Sequence, residues 1–599
     1  MCGIIGYIGN EDAVPIIVEG LKKLEYRGYD SAGVAVLNDG RFDVIKKKGR
    51  LAALEVEIQN TAQNATPIHG HLGIGHTRWA THGEPSNENA HPHLGNQEKI
   101  AVVHNGIIEN YHTLRARLQS KGIVFQSETD SEVIPQLAEY YYEAENNLFD
   151  TVIKVASRLE GSYALGFMCV DTPDTIIAIK KDNPLIIGVS EHGNFIASDI
   201  PAVLKHTNQV YYLNDNELAV LTKEGITFYD TDKERIHKEI ETITWSMESA
   251  EKGGYEHFML KEIMEQPMIL KNTLAKTLSQ PPVDITRFNR IIITACGSAY
   301  NAGVVARYVF EKLCRTPVEV ELASEFRYKD AIIDEKSLVI LVSQSGETAD
   351  TIAAMREAKA AGASTLAIVN VVGSTIAKEC DYCFFTAAGP EIAVATTKAF
   401  SAQLLVLYSL AIRFAAQLNK ISPAEEKSLR AELEALPDKV NALFAHTEEI
   451  QKYAASCIGY KSIFFIGRNI DYAIALEGSL KLKEISYIHS EAYAGGELKH
   501  GTIALIEENT LVVAISTCKR LEAKIMSNVE QVASRGANIL SIGARHATAS
   551  AVIPLPETHE LFTPSLSVVV LQLFSYYVAA NKGLDIDKPR NLAKSVTVE

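Results

Sequence analysis

The chain is short of basic residues. It has 58 Lys+Arg against 74 Asp+Glu, a formal charge of −16. A broad nucleic-acid-binding surface needs the opposite balance, so no nucleic-acid partner is expected. A local basic pocket for a small anion is still allowed. Cysteine is sparse, with eight scattered over 599 residues, which is no disulfide framework. Long apolar runs are missing too. The most apolar, Leu566 to Ala580, is 15 residues and is broken by Gln572 and two serines. A spanning helix needs ~20 residues, so no membrane partner is expected. The opening MCGIIGYIGNEDAV lacks a basic n-region and reaches Glu11 and Asp12 early, unlike a secretory signal. The expected compartment is a reducing cytoplasm. Low complexity is absent, since 47% hydrophobic and 22% charged residues are ordinary globular values.

A length of 599 residues predicts about four domain-sized pieces at ~150 residues each. Residues 1–240 are rich in strand-like segments, among them GIIGYIG, SAGVAVL, LGIGHTRWAT, KIAVVHNGIIEN, SYALGFMCV and GNFIASD. Helical patterns at Glu11–Tyr26 and Ser131–Glu145 interrupt them. In the second, Val133, Leu137, Tyr140 and Tyr141 form one stripe. This mix predicts strands paired with one another and covered by helices. Residues 241–255 are polar and read as a linker. Beyond them strand and helix alternate regularly, as in a doubly wound parallel sheet.

The second half repeats itself. RIIITACGSAYNAGVVARYVFEKL from Arg290 is echoed by SIFFIGRNIDYAIALEGSLKLKEI from Ser462. SLVILVSQSGETADTIAAM from Ser337 is echoed by TLVVAISTCKRLEAKIM from Thr510. The offsets, 462 − 290 = 172 and 510 − 337 = 173, predict two copies of one α/β domain, at 256–430 and 431–599. The copies differ where chemistry is expected. The first carries Ser343-Gln344-Ser345-Gly346-Glu347-Thr348, and the second has Ser516-Thr517-Cys518-Lys519.

Several constellations invite chemistry, and each has a plainer reading. The 343–348 loop opens a helix, where N–H groups and dipole suit a phosphate monoester. It serves equally as an ordinary capped helix start. It has no Lys and no NTPase P-loop pattern. Cys2 would join a thiol and a free α-amine in one residue if Met1 is removed, or it is an incidental cysteine. His104-Asn105-Gly106 offers an oxyanion-hole pair or an Asn-Gly turn. Arg78 and Thr81 can hold a carboxylate, or simply end a strand. The spacing of His69/His71 and His91/His93 would suit a metal, but no ligand set is complete, so none is expected. Cys380-x-x-Cys383 lies between a helix and a strand, the reverse of a redox motif. Glu477, Lys481 and Glu484 share a helix face, either as an ion-pair surface or as acid–base groups near His500.

Taken together, MCGIIGYIG, EYRGYDSAG, HTRWATHG, HNGIIENY and SETDSE resemble class II glutamine amidotransferases with an N-terminal cysteine nucleophile. SQSGETADT, the repeated α/β domains, ELKHG and PRNLAKSVTVE resemble a sugar isomerase half. In this order the chain resembles, over essentially its whole length, the glutamine–fructose-6-phosphate aminotransferases. The resemblance implies an α/β and α+β multidomain protein: an N-terminal αββα amidotransferase domain of N-terminal nucleophile type, then two doubly wound parallel-sheet sugar isomerase domains.

It implies L-glutamine and D-fructose 6-phosphate as substrates, a homodimer, no cofactor, and the first step of the hexosamine pathway. Cys2 is implied as nucleophile and mature N-terminus, Asn105 and Gly106 as oxyanion hole. Arg78, Thr81, His82 and Asp130 would bind glutamine, and Trp79 would be the lid of an ammonia channel. Cys296, Gly297, Ser298, Ser343, Gln344, Ser345, Thr348 and Val394 would bind the sugar phosphate. Lys594 would form the imine and Glu484 would shuttle a proton between C1 and C2. His500 would aid ring opening from the partner subunit, and Lys481 would support the site with Glu477 beside it. The family's loop often reads Ala-Cys-Gly-Thr-Ser, whereas Ala299 here brings no hydroxyl.

Neither a diphosphoribosyl loop nor an SGGxDS pyrophosphatase loop occurs in the second half, which disfavours other amidotransferases. A non-catalytic sugar-phosphate sensor is opposed by Cys2, Glu484, His500 and Lys594. A metallohydrolase would lose activity to a chelator.

Overall fold

The computed structural model describes residues 2–64, 67–243 and 251–598. The chain forms two compact units, Met1–Ser249 with Ser595–Glu599, and Ala250–Lys594.

In the first unit two antiparallel sheets of eight and seven strands stack face to face, with helices outside each. Alternation along the strand Gly3–Gly9 explains the layering. Ile4 and Ile8 enter the core between the sheets with Ile74, Val103, Met168 and Ile196. Ile5 and Tyr7 point the other way, onto Ile17, Leu21 and Leu24 of the helix Ala13–Leu24. The second sheet buries Ile100, Val102 and Phe167 against Leu137 and Val152 of the helices Val133–Glu145 and Leu148–Ala156.

Register then places the first site. Gly3 pairs with Thr77, so Cys2 emerges beside Arg78 and Trp79. In the other sheet Asn105 pairs with Ala164 and Gly106 with Tyr163. Glu241–Thr242 adds an edge strand to the first sheet, on Gln209–Tyr212. The rest of the expected linker includes 244–250, which lie outside the described residues.

The second unit holds two five-stranded parallel sheets with identical order, second strand, first, third, fourth, fifth. The strands Arg290–Ala295 and Ser337–Ser343 of one sheet match Ser462–Gly467 and Leu511–Ser516 of the other. Their unbroken apolar runs reflect burial on both faces. Ile291 and Ile293 face one core, and Ile292 faces another with Val339 and Leu341.

The first of these cores runs continuously from Met259 to Ile586 through both copies. The boundary expected at 430/431 falls inside the helix Pro423–Leu443, whose capping box joins Ser422 and Glu425. A shared core removes the need for a break there. Lys398–Gln417 and Glu560–Asn581 are long and apolar enough to cross a membrane, yet 89% and 94% of their apolar windows are buried within the protein. Apolar on every face, they are its central helices.

Candidate active sites

In the first unit, Cys2 is fixed at both ends of its side chain and carbonyl. The Trp79 N–H donates to Sγ at 3.2 Å. The Cys2 carbonyl accepts from Asn105 Nδ2 at 3.0 Å and from Arg27 Nε at 3.3 Å. Burial pushes the thiol pKa up, opposed by the Trp79 N–H and the Arg78 charge. Met1 lies outside the described residues.

Asn105 is oriented from behind. His76 Nε2 faces two acceptors, Asn105 Oδ1 at 3.1 Å and the His104 carbonyl at 2.9 Å, so that nitrogen carries the proton. Burial drives the His76 pKa down to about 3, so the ring stays neutral. With its oxygen occupied, the Asn105 amide turns its N–H groups to Cys2 and to Ser198 Oγ, 3.0 Å away. Gly106 sits at φ +127°, where an added Cβ would stand 2.0 Å from the Ser162 carbonyl, so only glycine fits.

Asp130 is buried, and its Oδ2 accepts the Ile108 N–H at 2.8 Å. His82 Nδ1 lies 4.0 Å from Asp130 Oδ1 and 3.4 Å from Thr81 Oγ1. Thr81 itself is exposed. Arg78 is expected from the sequence to hold a carboxylate. Its guanidinium is buried and donates to the carbonyls of His82, Gly83 (2.9 Å) and Glu84 (3.4 Å), shaping the loop that carries His82. Trp79 packs edge-on against Tyr29, with centroids 5.6 Å apart. His76 opens the HTRWATHG segment, but its hold on Asn105 leaves no sequence signature, and Arg27 and Ser198 carry none either. The EYRGYDSAG segment contains Arg27, but nothing in it reveals the carbonyl that Arg27 holds.

In the second unit the crevice at the switch in strand order lies between the ends of Arg290–Ala295 and Ser337–Ser343, where α/β sheets bind ligands. Cys296, Gly297 and Ser298 follow the first strand; Ser343 ends the second. Ser343 Oγ accepts the Gly346 N–H at 3.0 Å and lies 3.1 Å from Thr348 Oγ1. The Asn370 N–H holds the Gln344 carbonyl at 3.1 Å, and the Glu347 N–H reaches Ser345 Oγ at 3.2 Å. Thr348 stands at the N-terminal boundary of the helix Ala349–Ala360 without a side-chain capping hydrogen bond.

Ser298 Oγ turns to Glu477 Oε1 at 2.9 Å, and Asn301 Nδ2 holds Glu477 Oε2 at 2.9 Å. Burial raises the Glu477 pKa to about 7, against the pull of Lys481. Lys481, also buried, sits between Glu477 (3.6 Å) and Glu484. Lys594 is buried as well, its side chain 3% exposed and paired with Glu391, which is 0% exposed. Val394 donates its N–H to the Asp587 carbonyl at 3.0 Å. His500 stands exposed on the turn Glu497–His500, and no hydrogen bond or ion pair joins it to the Glu477–Lys481–Glu484 face among the described residues. Cys380 and Cys383 are free thiols, each pushed up to about 12 by burial.

The matching crevice of the second copy is filled from within. Asp471, at the position equivalent to Ala299 (471 − 299 = 172), is 3% exposed. Its Oδ2 accepts the N–H groups of Thr517 (2.9 Å) and Cys518 (3.3 Å), and its Oδ1 takes the Thr517 hydroxyl. Thr517 and Cys518 are the counterparts of Gln344 and Ser345.

Burial raises the Asp471 carboxyl to about 6, despite those hydrogen bonds. Because the folded value lies above the unfolded one, its contribution is fully present below about pH 4 and is lost as pH rises through about 6, by roughly 3 kcal/mol. Asp471→Asn keeps an oxygen for the two N–H groups and removes the charge. The melting temperature of the variant minus that of the wild type should therefore grow between about pH 5 and about pH 8. A difference that does not change with pH would refute the assignment.

The glutamine amidotransferase domain family matches residues 76–205, and the SIS domain family matches 284–413 and 458–582. Among curated relatives, the glutamine–fructose-6-phosphate aminotransferase (isomerizing) of Clostridium acetobutylicum is 55% identical over 615 residues, covering 100% of both chains. Those of Aquifex aeolicus and Methanosarcina acetivorans are each 46% identical over 100% of both chains. Among solved structures, the C-terminal domain of glucosamine-fructose-6-phosphate aminotransferase from Francisella tularensis aligns with a TM-score of 0.55 at 38% identity, covering 57% of this chain and 100% of that one. An amidotransferase domain joined to two SIS domains, with full-length relatives above half identity, places the assignment beyond the single motifs: the chain belongs to the glutamine–fructose-6-phosphate aminotransferase (isomerizing) family.

Proposed function

We propose that this chain takes the amide nitrogen of L-glutamine and places it on D-fructose 6-phosphate, giving D-glucosamine 6-phosphate and L-glutamate. In the first unit Cys2 attacks the carboxamide, its own α-amine taking the thiol proton. Asn105 and the Gly106 N–H stabilise the oxyanion, one Asn105 N–H leaving its present acceptor to do so. Asp130 binds the substrate ammonium, Arg78 and Thr81 bind its carboxylate, and His82 lines the pocket. Ammonia passes to the sugar site with Trp79 as the lid.

In the second unit the 343–348 loop, with Cys296, Gly297 and Ser298, holds the phosphate and sugar, and Val394 contributes backbone contacts. Lys594 forms the imine with C2 of the open-chain ketose. Glu484 moves the proton between C1 and C2, with Lys481 fixing its charge. His500 serves the site of a second copy in a homodimer, a role supported by its exposure.

The observation that carries the reading is Lys594, near the C-terminus, buried against a carboxylate in the unit that also holds the hydroxyl-rich loop. Incubation with glutamine and fructose 6-phosphate should yield hexosamine phosphate and glutamate in equal amounts. Glutamate release without hexosamine phosphate would reject the proposal.

A further inference from the structure

Two glutamates with no part in that scheme stand behind Lys594. Glu391 touches it: Lys594 Nζ donates to Glu391 Oε2 and lies 3.3 Å from Thr396 Oγ1. The other oxygen, Glu391 Oε1, accepts the N–H groups of Thr397 (2.9 Å) and Ala399 (3.0 Å), which leaves Oε2 to the amine.

Glu262 comes from a different element, the helix Phe258–Met264. It is buried, and its Oε1 accepts the N–H groups of Ile392 at 2.6 Å and Ala393 at 3.3 Å, the two residues that follow Glu391. Its Oε2 has no hydrogen-bond partner among the described residues. The same helix is capped by Asp587, whose carboxylate accepts the Phe258 and Met259 N–H groups at 2.9 Å each. Since the Asp587 carbonyl takes the Val394 N–H, residues 391–394 hang between Glu262 and Asp587.

The surrounding charges form ion pairs of their own. Lys398, buried, pairs with Glu265 at 2.9 Å, and Glu265 also meets Lys261 at 3.5 Å. Lys481 is held by Glu477 and Glu484, and Asp587 faces Lys252 at 3.8 Å. Lys594 pairs directly with Glu391, while Lys398 and Lys594 act on Glu262 with no ion pair to it among the described residues. Two like charges in a desolvated site do not both ionise. Burial and the Glu391 charge push Glu262 up to about 8. Burial also acts against Glu391, but Lys594 and the two N–H groups overcome it and hold that carboxyl below its ordinary value.

We propose that Glu391 is the base that takes the proton from Lys594 as the imine forms, and that Glu262 is a positioning residue that holds Glu391 in place through the Ile392 and Ala393 N–H groups. The inference rests on the imine reading of Lys594. The Lys594 ammonium gives one proton to Glu391 Oε2, and the freed amine attacks C2 of the open-chain ketose. The addition product passes a second nitrogen proton to the former carbonyl oxygen. Glu391 returns its proton to that oxygen, the C2–O bond breaks, and water leaves as the protonated imine forms. No outside oxidant or reductant is needed.

The test is borohydride trapping with fructose 6-phosphate on the full-length protein, from about pH 6 to about pH 9, with the adduct mapped by peptide mass spectrometry. Glu391→Gln should slow Lys594 labelling by at least about tenfold at neutral pH, and its rate should climb with pH because solvent must then take the proton. Glu262→Gln keeps an oxygen for Ile392 and Ala393, so it should match wild type at pH 7. It should also stay level where wild type declines above about pH 8 as Glu262 ionises. Glu262→Ala loses the anchor and should label slowly at every pH.

Labelling of Glu391→Gln at the wild-type rate and pH dependence would overturn the inference. So would a Glu262→Gln variant with the wild-type decline at alkaline pH. Should Glu262→Ala fail to fold by circular dichroism, the Glu262→Gln profile alone decides. Wild-type protein that labels another lysine, or none, would instead sink the imine reading on which this one stands.

Discussion

Cys2→Ala is expected to lower glutamine hydrolysis by at least about 10³-fold, because it removes the only group proposed to attack the carboxamide. The fold should tolerate the change. Cys2 is half-buried, and its carbonyl contacts to Asn105 and Arg27 do not involve the sulfur. What is lost is a thiol held at 3.2 Å by the Trp79 N–H. An α-amine with a pKa of ~7.7–8.0 can take the thiol proton only when it is free, so active protein should begin at Cys2. Sugar chemistry supplied with ammonium salt should survive in the variant. Glutamate release within tenfold of wild type, or fully active protein whose intact mass still includes Met1, would reject this account.

Lys594→Arg should abolish hexosamine phosphate formation, by at least about 10³-fold, while leaving the buried pair intact. Guanidinium keeps the charge that Glu391 needs and can add a second hydrogen bond to it. Its pKa above ~12 leaves no neutral nitrogen to attack a carbonyl. The substitution thus separates charge from nucleophilicity at one position. Borohydride with fructose 6-phosphate should label wild type at Lys594 and leave the variant unlabelled. Unimpaired synthesis by Lys594→Arg would exclude the imine.

Much of this was legible in the sequence because motif and strand end coincide. An apolar run closing on Ser343 announces a loop at a strand end, whereas Asn105 and Gly106 lie inside the strand Ile100–Ile108 and pair with Ala164 and Tyr163. Of the stripe Val133, Leu137, Tyr140 and Tyr141, Tyr140 is half-buried and the other three are buried. The repeat at 172–173 residues was visible because parallel strands and their helices occupy fixed lengths.

What escaped depends on contacts that no local pattern encodes. Glu262 and Glu391 are 129 residues apart (391 − 262) and meet only after folding. Arg78 spends its donors on carbonyls, which every residue has, so its partners leave no signature. The tail around Lys594 has the composition of a disordered end. It is ordered by particular bonds, such as the Arg590 N–H to the Tyr487 hydroxyl at 2.7 Å and the Lys588 N–H to Asp585 Oδ1 at 3.1 Å.

The carboxylate of Asp471 also changes how the two copies answer to their surroundings. A site that binds a ligand from solution is stabilised in step with its occupancy, by about 2.7 kcal/mol at one hundred times Kd. With the sugar phosphate assigned to the first copy, that copy should firm up as metabolite accumulates and loosen as it runs out. The second copy carries its anion on its own chain, at an effective concentration that no metabolic state alters. One half of the duplicated fold is thus a permanently saturated scaffold, against which the other half senses supply.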